Sequence, residues 1–240
     1  MIEALAVIGV LLLVYLAFAV SASAGLGGSL VMVPTLSLFL GSKEGVALAA
    51  LLLASNNVFK IWAYCRTLPF RAAAVIVLMI IIGAAIGSSL LVRAPDAVVT
   101  VAIVAMFAGT MLAERREWGV RARFGPVLAF VSGASSGFSG TSGPLKGVAI
   151  RTLGLDRRHF VGAASLASFA GDATKTAIFA DAQLLGRTSV LIAVAAIPLM
   201  ALGTWTGSTF NQRTGERSFA ILFWTVMAGY SVRLFVFLFT

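Results

Sequence analysis

Long apolar runs, interrupted by short stretches rich in Gly, Ser and Arg, set the pattern of this chain. About ten apolar segments follow one another, several near the ~20 residues that a helix needs to cross the hydrocarbon of a bilayer. They run roughly over 4–20, 26–40, 46–64, 72–92, 97–113, 124–138, 144–155, 160–180, 189–210 and 219–239. The second and seventh are short. A Gly/Ser-rich stretch precedes each of them, from Ser21 to Gly28 and from Ser132 to Gly143. The pattern predicts an all-α integral membrane protein whose second and seventh helices are short or broken. Glu3 stands where a signal peptide would carry basic residues, so the first segment reads as a retained helix.

The pattern also repeats. Shifting the first half by 115 positions lays Gly25 on Gly140, Gly28 on Gly143, Val33 on Val148 and Lys60 on Lys175. With five more residues inserted, Gly83 and Gly87 fall on Gly203 and Gly207, and Arg93 on Arg213. Such co-linear matching points to an internal duplication. One transmembrane domain over 1–240 then holds a first repeat of about 1–118 and a second of about 119–240. Five crossings per repeat is an odd number, so the two repeats are inverted in the membrane, as in many secondary transporters.

Charge tests the count of crossings. If all ten segments cross, one side collects Arg66 and Arg71, the four Arg from 115 to 123, Arg151, Arg157 and Arg158, and Arg213 and Arg217. The other side collects Lys43, Arg93 and Arg187, a split of eleven against three. Letting the two short segments dip in and return gives seven against seven. The positive-inside rule favours the first arrangement, with both termini non-cytoplasmic.

Composition agrees: 60% of residues are hydrophobic and 11% charged, with a mean hydropathy of +1.01. The net charge of +9 belongs to topology and anionic lipid rather than to nucleic acid. One Cys and one His leave no metal cluster to build. No cofactor motif, nucleophile–base arrangement or Walker loop is present, so neither an enzyme nor ATP use is expected.

Two places could carry chemistry. Helices that begin at Gly25, Gly27 and Gly28, or at Gly140 and Gly143, leave N–H groups free to meet an anion. Ser139, Thr141 and Ser142 add hydroxyls there, and Lys146 lies one turn further on, free to strengthen the site or to pair with Asp172. The alternative is that these glycines only let helices pack, which is the preferred reading for the Gly83–Gly87 and Gly203–Gly207 pairs. The second place is polar: Asn56, Asn57 and Lys60 fall on Gly171, Asp172 and Lys175 under the 115 shift. Ionisable groups inside a membrane segment usually face a cavity. Lys60 could instead snorkel to the surface, and Asp172 with Lys175 could be a structural ion pair. Asp172 is also the candidate for proton coupling, with Lys175 acting against it.

The Gly25-x-Gly-Gly28 stretch with Val33-Pro34, the Asn56-Asn57 segment and Gly140-x-x-Gly143-Pro144 resemble the sulfite exporter TauE/SafE family. The resemblance spans essentially the whole chain, including its length and duplication. It implies a bacterial inner-membrane, multi-pass permease that exports sulfur oxyanions or organosulfonates, with sulfite as the leading substrate. The hydroxyl-rich second glycine run departs from the plainer first one, so the two half-sites are not expected to be equivalent. The rival readings are a passive anion channel and a membrane assembly subunit without transport of its own.

Overall fold

The fold is a computed structural model describing residues 29–113, 122–142 and 145–213, with Leu12, Val14, Tyr15 and Phe18. Gly25, Gly27, Gly28, Gly143 and the tenth apolar segment lie outside the described residues. Eight helices follow in order: α1 (Ser29–Leu40), α2 (Ser42–Ala63), α3 (Phe70–Arg93), α4 (Asp96–Ala113), α5 (Gly125–Ser139), α6 (Leu145–Arg151), α7 (Arg157–Asp181) and α8 (Arg187–Arg213). No strand occurs among the described residues. The helices match the apolar segments from the second to the ninth. The seventh is shorter than its apolar run: α6 stops at Arg151, and Gly154, at φ +63°, turns the chain toward α7. Asp156 then caps α7, its Oδ1 accepting the His159 N–H at 3.1 Å.

The outward faces identify the solvent. On α3, Ala73, Ile76, Ile80, Gly83, Ala84 and Gly87 face inward. The opposite face carries Val75, Leu78, Ile82, Ile86 and Leu90, all exposed. A helix that is apolar all round belongs in a membrane or a core. Leaving such side chains in water would forfeit about 1.5–3 kcal/mol each. Val190, Leu191, Val194 and Ile197 give α8 a similar outer face. By length and composition, Ser42–Trp62 and Phe70–Arg93 are apolar enough to cross a bilayer. With 25 residues α7 has the reach as well, about 37 Å, but carries charges along it.

Glycine sets the closest packing. A side chain at Gly83 would strike the backbone of Phe130, and one at Gly87 the backbone of Ala134. In return, Gly133 lies on Ile80 and Gly137 on Ala84. Numbers rise together on both helices, so α3 and α5 run parallel along two interlocked GxxxG pairs. This is the packing role expected for Gly83 and Gly87. Gly125, at the start of α5, abuts Thr152, just past α6, so the α5–α6 hairpin returns to the end it left. Gly162 abuts Thr67, which brings the start of α7 to the α2–α3 turn. That end therefore gathers the segments bearing Arg66, Arg71, Arg123, Arg151, Arg157 and Arg158. Exposed Trp62, Phe70 and Phe124 ring it, with Arg123 lying 4.9 Å from the centre of the Phe124 ring.

Candidate functional site

Two apolar cores leave a polar layer between them. One core, at the arginine-rich end, is built from Ala73, Ile76 and Ile80 of α3, Ala129 of α5, and Ala163 and Ala167 of α7. The other takes in Val46 to Leu53 of α2, Leu91 of α3 and Phe179 of α7. Moving along α7 from one core to the other means crossing Asp172 and Lys175. Asp172 is about 22 Å along α7 from Arg157 and about 14 Å from Asp181. The same step along α2 leads to Asn56 and Asn57, and along α5 to Ser132, Ser136 and Ser139.

Lys175 is the centre of this layer, with 1% of its surface exposed. Its Nζ sits 2.6 Å from Oδ1 of Asp172 and donates to Ser136 Oγ at 3.0 Å. The i, i+3 spacing on α7 makes the first contact, as the sequence anticipates. The other carboxylate oxygen, Oδ2, accepts Asn57 Nδ2 from α2 at 2.8 Å. One carboxylate thus ties α7 to α2, and one ammonium ties α7 to α5. A lysine so deep cannot snorkel, so it is held only by its partners. Asn56 is buried too, at 6% exposure, and its amide has no hydrogen-bond partner among the described residues.

Lys146 does not pair directly with Asp172. Its Nζ donates to Ser168 Oγ at 2.9 Å, one turn of α7 before Asp172. It is still near enough for the charges of Asp172, Lys175 and Lys60 to act on it. Lys60 is half-buried near the end of α2 and feels Asp172 as well. Lys175 alone touches the carboxylate, and Lys146 and Lys60 add two further basic side chains around the one acid of the described layer.

The described part of the second glycine stretch lies inside the fold and not at its surface. Ser139, Gly140, Thr141 and Ser142 are all buried. Gly140 ends α5 at φ +78°, a backbone conformation that side chains resist, and it presses against Val33 of α1. Ser29, the first described residue of α1, lies 3.4 Å from the Thr141 hydroxyl. Ser139 is turned onto its own backbone, donating to the Ser135 carbonyl at 2.8 Å.

Sequence reasoning singled out neither Ser136 nor Ser29. A serine in a membrane helix most often bonds the carbonyl one turn back, as Ser165 does with Val161, so pattern alone does not tell a partner of Lys175 from a self-satisfied hydroxyl. Among the described residues no group of three or more His, Cys, Asp or Glu side chains gathers to hold a metal. The layer offers amides, hydroxyls and ammonium groups, which together suit an oxyanion rich in acceptors.

No curated protein and no solved structure matches the chain. Residues 10–234 match the family model described as Sulfite exporter TauE/SafE. The match extends over nearly the whole chain, and the lipid-facing apolar surface agrees with it: the chain belongs to the sulfite exporter TauE/SafE family of membrane transporters.

Proposed function

We propose that this protein is a secondary transporter that carries small sulfur-containing anions, sulfite or an organosulfonate, out of the cell across a bacterial inner membrane. Access to the site alternates between two inverted repeats. The observation that carries the reading is Lys175: a fully buried ammonium in a layer with more basic than acidic side chains among the described residues, within a family described by sulfite export. The substrate head group would meet Lys175, Lys146, the free amide of Asn56 and the hydroxyls around Gly140.

Three contacts support the inverted arrangement. Asn57 and Asp172 are 115 positions apart, so they are repeat mates, and they touch. Mates related by a two-fold axis can touch only across that axis, so this contact is what an inverted arrangement with its axis in the polar layer would give. The α3–α5 seam joins the fourth apolar segment to the sixth. Its counterpart would join the ninth to the first, and Tyr15 Oη donates to Thr206 Oγ1 at 3.2 Å between those two. At the end opposite the arginines, Lys43 lies 3.5 Å from Asp96 and bonds the Val92 carbonyl. That pattern fits the eleven-to-three split of charge.

The test is flux in proteoliposomes. Lys175→Ala and Gly143→Leu should abolish sulfite transport while the protein still inserts and purifies as a folded species. Normal flux in both variants removes this site. Ion flux far above the turnover of a carrier would make the protein a channel instead.

A further inference from the structure

We propose that Asp172 is a built-in stand-in for the transported anion, resting on Lys175 in the empty protein, and that substrate binds by displacing its carboxylate. The inference rests on the anion-transport reading above.

Both oxygens of Asp172 are engaged as those of a bound oxyanion would be. Oδ1 takes the Lys175 ammonium at 2.6 Å and Oδ2 takes the Asn57 amide at 2.8 Å. The charges facing this carboxylate are Lys175 on its own helix, Lys60 from α2 and Lys146 from α6. The element packed on the third side, α3, brings the Ile80 side chain up to Gly171, and α5 brings the Ser136 hydroxyl to Lys175. No second acid shares the site among the described residues, so Asp172 alone balances Lys175 when nothing else is bound. An incoming sulfite or sulfonate carries the same kind of oxygen and the same sign of charge. Two anions at one ammonium repel strongly in a poorly screened interior, which favours an exchange at Lys175 over joint occupancy.

The exchange has a mechanical side. Asn57 belongs to α2 and Lys175 to α7, and the carboxylate holds them both. A substrate that takes Lys175 from Asp172 weakens the hold of α7 on α2. Loading the site and loosening that seam become one event, which gives an anion differential affinity for two conformations.

Sulfite affinity and proteoliposome turnover, measured together on the full chain, test this. Asp172→Asn keeps the shape but removes the competing charge. Sulfite should bind about tenfold tighter or more, and turnover should fall by a similar factor because release is slowed. Unchanged or weaker affinity overturns the proposal. Asn57→Ala frees one of the two holds on the carboxylate while leaving both charges in place, so the proposal remains testable even where Asp172→Asn does not insert. Its sulfite affinity should rise a few-fold. A fall would make Asn57 a substrate contact and sink the stand-in role. In Asp172→Ala, formate should compete with sulfite at concentrations that leave the parent protein unaffected, and the absence of such competition counts against the idea. A parent protein that neither binds nor moves sulfite or taurine overturns the transport reading itself, a result distinct from parent transport with an unaltered Asp172→Asn.

Discussion

Lys60 on α2 and Lys175 on α7 stand 115 positions apart, the offset at which the two halves of the sequence align, yet their surroundings differ in every respect that matters for charge. Lys60 is half-buried, two residues from the exposed Trp62, and has no ion pair or hydrogen bond among the described residues. Lys175 is sealed in and held by Asp172 and Ser136. The residues one turn before them differ in the same sense. On α2 they are two neutral amides, Asn56 and Asn57. On α7 they are Gly171, which leaves room for Ile80, and a carboxylate. Equal register therefore does not mean equal role: α2 supplies uncharged donors, and α7 supplies the ion pair that those donors meet.

The largest expected effect follows from breaking the α7 side. Lys175→Ala leaves Asp172 buried without its counter-charge, which should lower stability by about 3–5 kcal/mol and abolish transport. Thermal melting in detergent and flux check the two halves of that statement, and pairing the change with Asp172→Asn should recover the melting temperature but not the flux. Lys60→Ala, by comparison, should slow transport by no more than a few-fold and leave stability within about 0.5 kcal/mol, as for other partly exposed positions. Equal damage from the two lysine variants would erase the contrast. Gly171→Asn copies the α2 pattern onto α7. A Cβ there already meets Ile80 Cγ2 at 3.0 Å, so crowding should cost about 1–3 kcal/mol on melting. The smallest stability change belongs to Asn56→Leu. Removing an amide without a partner should be neutral or mildly stabilising, while sulfite binds more weakly. Tighter binding in that variant would remove Asn56 from the site.

The sequence made the helices readable because apolar runs in a membrane protein are long and their interruptions abrupt. The run over 72–92 anticipates α3 to within about two residues at each end, the usual uncertainty of helix boundaries. The i, i+3 pairing of Asp172 with Lys175 was readable for the same local reason. Partners on other helices were not. Asn57 meeting Asp172 depends on how α2 crosses α7, and Lys146 reaching Ser168 rather than Asp172 depends on where α6 begins. The glycine seam shows the limit well: Gly83 and Gly87 announce a close approach, but not that Gly133 and Gly137 are what approaches. The family resemblance placed the substrate class, which no spacing of Gly and Lys could have specified.

That seam has a bearing on movement. It joins a helix of the first half of the chain to a helix of the second, backbone against backbone, with no long side chains to slide over one another. Interlocked so closely, α3 and α5 act as a splint between the first and second halves of the chain and resist sliding along that seam. It also leans on α7, through Ile80 at Gly171 and through Ser136 at Lys175, so the polar layer is built against the least yielding part of the molecule.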